Sequence, residues 1–86
     1  MKIIVRKPTA EEKSFMEKQP TWGCGVSVFD WSYSQEEHAL LLEGDVTVEY
    51  DGGSARFGAG DYVIFPKGMD CVWRVEKPVK KHYDFR

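Results

Sequence analysis

After Gly25 the chain alternates short β-branched and aromatic runs with glycine or proline breaks, and this rhythm limits the fold more than any other feature. Val26, Val28, Phe29 and Trp31 form one strand-like run, and Ala39 to Leu42 form a short buried one. Val46, Val48 and Tyr50 then alternate with Thr47, Glu49 and Asp51, the period of a strand with one buried face. Asp51-Gly52-Gly53 supplies the positive φ of a hairpin turn, and Arg56-Phe57 returns from it. A second turn, Gly58-Ala59-Gly60-Asp61, precedes the run from Tyr62 to Phe65, which Pro66-Lys67-Gly68 ends. Cys71, Trp73 and Val75 alternate with Val72, Arg74 and Glu76; Pro78 breaks the pattern, and Val79 to Phe85 make the last strand. About eight or nine short strands are expected, with turns roughly every six to twelve residues, the spacing of a β-sandwich or small barrel.

Ahead of this region, Ile3-Ile4-Val5 reads as an edge strand. Thr9, with Glu12 three residues on, makes a capping box that opens the one helix of the chain, and this helix stops by Pro20. The length of 86 residues suits one domain, 1–86, with a single modest core that a 14% aromatic content enlarges. A net charge of −2 gives no reason to expect nucleic acid as a partner, and Lys77, Lys80 and Lys81 read as a solvated strand end. No apolar run approaches the roughly 18 residues of a membrane span, so no membrane partner is expected. Residues 1–20 are too charged for a signal peptide, and Cys24 and Cys71 form no CxxC or zinc spacing. A cytoplasmic protein with reduced cysteines is therefore expected, an organellar origin after removal of a transit peptide being the alternative.

The glycines and prolines also fall into a known frame. Gly25, Trp31-Ser32-Tyr33, Glu37 and Gly44 are followed by Gly60, Pro66-Lys67-Gly68, Cys71 and Val75. The frame resembles the two motifs of the cupin superfamily, and Gly25, Glu37, Gly44, Gly60, Pro66 and Gly68 stand at the spacing those motifs require. Each position matches by chance about once in fifteen to twenty, so their coincidence is a strong signal. The resemblance implies an all-β fold, the cupin double-stranded β-helix or jelly-roll barrel, here with one short N-terminal helix. In metal-binding cupins three His and the Glu hold the ion. This chain has Trp31, Tyr33 and Cys71 at the histidine positions and retains only Glu37. The combination resembles a small branch classed with the (S)-ureidoglycine aminohydrolase-type cupins, a likeness that names a relative rather than an activity.

The residues themselves lead to the same place. Positions 31 and 33 share one strand face, as do 71, 73 and 75. If both faces point inward, they deliver two indoles, a phenol and a thiol, and the next turn delivers the Glu37 carboxylate. Apolar walls with a few polar groups make a small-ligand pocket. The candidate catalytic groups are Glu37, costly to bury unless paired, and Cys71, a soft nucleophile. Trp31, Tyr33 and Trp73 are candidate ligand contacts or simply barrel filling, and buried Tyr33 is expected to bond Glu37. Lys67, in the turn at the barrel mouth, and His82, in the last strand, are further candidate ligand contacts. His38 should face away from Glu37.

Indole nitrogen donates but cannot ligate, and phenol and thiol must lose protons to do so. No metal and no cofactor are therefore expected. Three functions fit: a small-molecule cupin that binds or transforms a polar metabolite, a non-enzymatic ligand sensor using the same pocket, or an interaction domain with a solid core. A homodimer is expected, because exposed sheet edges need cover.

Overall fold

The computed structural model describes residues 1–86. Seven strands and one helix follow in the order β1 (Ile4–Arg6), α1 (Ala10–Met16), β2 (Thr21–Cys24), β3 (Ser27–Ser32), β4 (Glu37–Tyr50), β5 (Gly53–Gly58), β6 (Tyr62–Phe65) and β7 (Asp70–Phe85). All pairings are antiparallel.

Two long strands, β4 and β7, pair with each other along their length and change their outer partners half-way. The first half of β4 has β6 beside it, and the second half has β5. The first half of β7 pairs with β3, the second half with β2. Two half-sheets result, β1-β6-β4-β7-β2 and β5-β4-β7-β3, joined where the long ribbon shifts register between Leu41 and Val46. Strands that pass from one sheet to the other through bulges are the usual way to turn such a corner. Their facing sides share one buried cluster, with Trp73, Phe57, Phe65, Val46, Val48 and Val75 at its centre. The expected jelly-roll barrel with one short helix is thus the observed architecture.

Its corner explains two departures from the sequence reading. Gly44 takes φ +124°, and a Cβ there would stand 2.9 Å from the Val79 Cα, so the ribbon needs glycine at this position. Hence Ala39–Leu42 and Val46–Tyr50 are one bent strand, not two. Pro78 does not break β7 either: it falls between the stretch paired with β3, which ends at Val75, and the stretch paired with β2, which begins at Val79. A residue without an N–H fits such a gap. The strand β2, placed directly after Pro20, lies in a segment the rhythm of the sequence left unassigned.

The capping box forms as expected, with Glu12 N donating to Thr9 Oγ1 at 3.1 Å and Thr9 N to Glu12 Oε1 at 2.9 Å. Met16 on this helix packs with Leu40 and Tyr62 on the outer side of β4 and β6. With seven residues, the helix is too short to cross a membrane.

Candidate functional site

Period-two alternation divides the start of β4 between two environments. Glu37, Ala39 and Leu41 face the barrel interior, while His38 and Leu40 face outward beneath the helix. His38 accordingly lies away from Glu37, as expected, with Nδ1 2.5 Å from the Tyr62 hydroxyl and Nε2 2.8 Å from Glu36.

Inside, Glu37 is only 2% exposed, and its carboxylate accepts a hydrogen bond from Lys81 Nζ. Lys81 is 6% exposed, which overturns its reading as part of a solvated strand end; Lys77 and Lys80 are exposed. The reason is register. Lys81 pairs with Leu41 on one side and Trp22 on the other, and shares the face of Val79 and Tyr83. Its ammonium lies 5.0 Å from the centre of the Trp73 ring and 5.3 Å from that of Trp22, within cation–π range. Burial pushes Lys81 below its ordinary pKa, and the Glu37 carboxylate opposes that shift.

A cavity of about 200 Å³ opens at this end of the barrel, where β4 begins and β7 ends. Glu37 and Lys81 are its charged groups; Trp73, Tyr33 and Phe29 line it from the core side. Trp22, Trp31, Tyr83 and Phe85 form the rest of the wall. The Tyr33 ring stacks on Phe65 at 4.9 Å, and its backbone is fixed by Tyr33 N to Met69 O at 2.9 Å. Its hydroxyl has no hydrogen-bond partner, nor has Trp73 Nε1, although both atoms are buried. The Glu37 carboxylate is engaged by Lys81; the Tyr33 hydroxyl lies near enough to feel its charge but forms no full hydrogen bond to it. Burial, with the Glu37 charge second, holds the Tyr33 phenol far above its ordinary pKa, so it stays a protonated donor.

The cavity thus brings together Glu37, Trp31, Tyr33 and Trp73 of the residues singled out from sequence. Trp31 stands at its rim, 49% exposed, rather than in the centre. Cys71 is buried in the core beside the cavity wall, its thiol 3.6 Å from the Trp31 carbonyl oxygen. Burial, helped by Asp70 and Glu37, pushes that thiol up to about 11, which leaves little thiolate near neutral pH. Neither Lys67 nor His82 reaches the cavity. Lys67 is exposed in its turn, and the His82 ring, on the opposite face of β7 from Lys81, bonds Gln19 O at 2.8 Å through Nδ1. Sequence reasoning missed Lys81, Trp22, Phe29, Tyr83 and Phe85; the alternation of Val79, Lys81 and Tyr83 carried the signal for Lys81.

A metal held in the manner of metal-binding cupins does not fit these residues. The carboxylate is already paired with an ammonium, the phenol is held protonated, the thiol titrates near 11, and no three His, Cys, Asp or Glu side chains cluster.

The family model of the EutQ-like cupin domain matches residues 11–83. The chain belongs to that family. A crystal structure of a DUF861 family protein from Thermotoga maritima is 41% identical to this EutQ-like cupin, with a TM-score of 0.92 over 99% of this chain and 100% of that one. The protein named acetate kinase EutQ from Clostridioides difficile (strain 630) is 26% identical in an alignment of 65 residues that covers 70% of this chain and 41% of that relative. The chain therefore spans about two fifths of the length of that curated relative. A structure of the Clostridium difficile EutQ protein, 20% identical, superimposes with a TM-score of 0.70 over 76% of this chain and 52% of that one, a likeness of fold.

Proposed function

We propose that this cupin binds a small planar metabolite carrying a hydrogen-bond acceptor, held between aromatic walls by Tyr33, Trp73 and Lys81 without a metal or other cofactor. The observation that carries the reading is the pair of buried donors without partners, Tyr33 Oη and Trp73 Nε1, lining one cavity. Folded proteins rarely leave such groups unpaired, and each costs about 1–3 kcal/mol. A ligand acceptor seated between them removes that cost, and aromatic walls favour a flat ligand. The cavity at the end of the barrel weighs against an interaction domain with a solid core. The activity in the name of the C. difficile relative implies phosphates; here the cation in the cavity is neutralised by Glu37, which favours a ligand of low charge.

Glu37 and Lys81, in direct contact, can exchange a proton, so the same pocket suits either an enzyme or a sensor. The finer placement beside the (S)-ureidoglycine aminohydrolase-type cupins belongs to this proposal and rests on the Trp31-x-Tyr33 and Pro66-Lys67-Gly68 pattern. So does a homodimer: β1, β2, β3 and β5 each pair on one side only, and β3 exposes Val26 beside it together with Val28 and Trp31. Sedimentation at tens of micromolar giving a 9.9 kDa species would remove the dimer. Both cysteines are free, which suits the cytoplasmic location proposed with it.

The three tryptophans of the chain all line the cavity, so intrinsic fluorescence reports on this site. A panel of small planar amides, carboxylates and carbonyl compounds titrated into the protein is expected to give at least one saturable change, lost in Tyr33→Phe. No response from any compound, or a response unaffected by Tyr33→Phe and Lys81→Met, overturns the reading.

A further inference from the structure

We propose that Lys81 captures a small aldehyde or ketone as a Schiff base inside the cavity, with Tyr33 and Trp73 receiving the carbonyl oxygen. The inference rests on the ligand-binding reading above and names the class of compound.

Lys81 is the one buried lysine among eight in the chain. Lysine usually bends its stem so that the ammonium reaches water. Here Nζ instead lies over the Trp73, Trp22 and Phe65 rings and donates to Glu37. Such a pair adds little net stability compared with apolar residues of the same size. What it adds is a nucleophile and its proton acceptor in direct contact, at the wall of a cavity that reaches solvent. A lysine desolvated in this way is the usual form of an imine-forming lysine.

The remaining parts are present. The proton of the Lys81 ammonium passes along the existing hydrogen bond to the Glu37 carboxylate, leaving a neutral amine and a neutral acid. The amine lone pair attacks the carbonyl carbon, a C–N bond forms, and the π pair moves to oxygen. Tyr33 O–H and Trp73 Nε1–H, both without other partners, are donors for that oxygen. Glu37 gives its proton to the oxygen and takes one from the nitrogen, which completes the carbinolamine. It then protonates the hydroxyl, water leaves with the C–O pair, and the nitrogen lone pair closes the C=N bond. The sum is carbonyl plus ammonium giving iminium plus water, with nothing oxidised or reduced. The iminium stays over the same aromatic faces and opposite the same carboxylate, so the charge the pocket holds is unchanged.

The test is reductive trapping on the intact wild-type protein. Benzaldehyde and glyoxylate are the probes, sodium cyanoborohydride the reductant, and peptide mass spectrometry locates the adducts. Lys80, adjacent and exposed on the other face of the strand, is the internal control. Lys81 is expected to be alkylated at least about tenfold faster than Lys80 with one of the probes, as for a desolvated amine. Glu37→Gln should slow labelling of Lys81 by about a hundredfold, the low end of proton-transfer catalysis, and leave Lys80 unchanged. Tyr33→Phe, which removes one donor to the oxygen and breaks no hydrogen bond, should slow Lys81 alone. Labelling of Lys81 no faster than Lys80 with both probes overturns the Schiff base. If a probe then still changes tryptophan fluorescence saturably, ligand binding stands and only the covalent step falls; if fluorescence is silent for the whole panel as well, both fall.

Discussion

Glu37 and His38 are neighbours on β4 that point to opposite sides of one sheet, and both are buried. On the outer side the polar groups close on themselves: His38 is bonded through one ring nitrogen to Tyr62 and through the other to Glu36, beneath a helix that buries Met16. On the inner side the pairing is incomplete. Glu37 and Lys81 satisfy each other, yet Tyr33 and Trp73 beside them do not find partners. A satisfied network makes the fold more specific; an unsatisfied one beside a cavity is arranged for something else. The contrast teaches that burial of a titratable residue does not by itself mark a site, whereas the state of its neighbours does.

The largest expected effect comes from dividing the inner pair. Lys81→Met leaves a carboxylate without a partner among aromatic rings and should cost about 3–5 kcal/mol in urea unfolding. The double change Glu37→Leu with Lys81→Met should recover most of that loss while abolishing ligand binding, because apolar residues replace a buried pair at little cost. A double variant as unstable as the single one would show that the two groups do not offset each other.

A sharper test applies one substitution to both faces. Tyr62→Phe on the outer side leaves His38 Nδ1 buried without its partner and should cost about 1–3 kcal/mol, with ligand response unchanged. Tyr33→Phe on the inner side removes a hydroxyl that has no partner, so stability should hold or rise by up to about 1 kcal/mol while binding is lost. Equal destabilisation by the two changes would erase the comparison.

Much of this contrast was legible in the sequence, and the remainder failed for definite reasons. The motif frame points Glu37 inward, period two then turns His38 to the other face, and Thr9 with Glu12 announces the helix; these signals are local. The joining of two expected strands into β4, and the passage of β7 through Pro78, depend on a corner that only the pairing of both strands creates. The strand Thr21–Cys24 is short, contains Gly23, and is held by the partner β7 rather than by its own propensity. Lys81 was hidden by company: beside Lys77 and Lys80 it read as surface, although alternation with Val79 and Tyr83 put it inside. The sequence alone offers Glu37 to the Tyr33 hydroxyl, because the competing partner of Glu37, Lys81, lies 44 positions beyond it in the chain.

Cys71 belongs to the packed core and not to the lining of the cavity. Its folded pKa, about 11, is raised from the ordinary 9.0 by burial. The unfolded chain therefore loses its proton first as pH rises, and the contribution of the thiol, full below pH 9, is lost as pH passes through about 11. Tyr33, also raised, acts in the same direction; Lys81, lowered, acts in the opposite one. Comparison with Cys71→Ala isolates the thiol. The stability gap between wild type and this variant should shrink by about 2 kcal/mol between pH 8.5 and 11, because each tenfold difference in acidity between the folded and unfolded thiol is worth about 1.4 kcal/mol. A constant gap would mean that the thiol is hydrated, and so open to the cavity.

The smallest effect concerns the helix that covers the outer face. The Glu12 carboxylate accepts from the Thr9 amide at 2.9 Å and from Arg6 Nη1 and Nη2, each at 2.7 Å. Arg6 first, and the cap second, hold its carboxyl down at about 2 against an ordinary 4.5. A lowered carboxyl contributes stability that is present above the unfolded value and lost as pH falls through the folded one, so the window here runs from about 4.5 down to about 2. Because the pair is partly solvated, the loss should stay below about 1 kcal/mol, the worth of a cap. It should also be confined to one side of the sheet. Amide protection, corrected for the intrinsic exchange rate at each pH, is expected to fall between pH 5 and 3 in residues 10–16 and to hold at Lys81 and its strand neighbours. Equal loosening of β7 would mean that the helix clamps the whole barrel, and that the inner and outer faces of β4 are not independent.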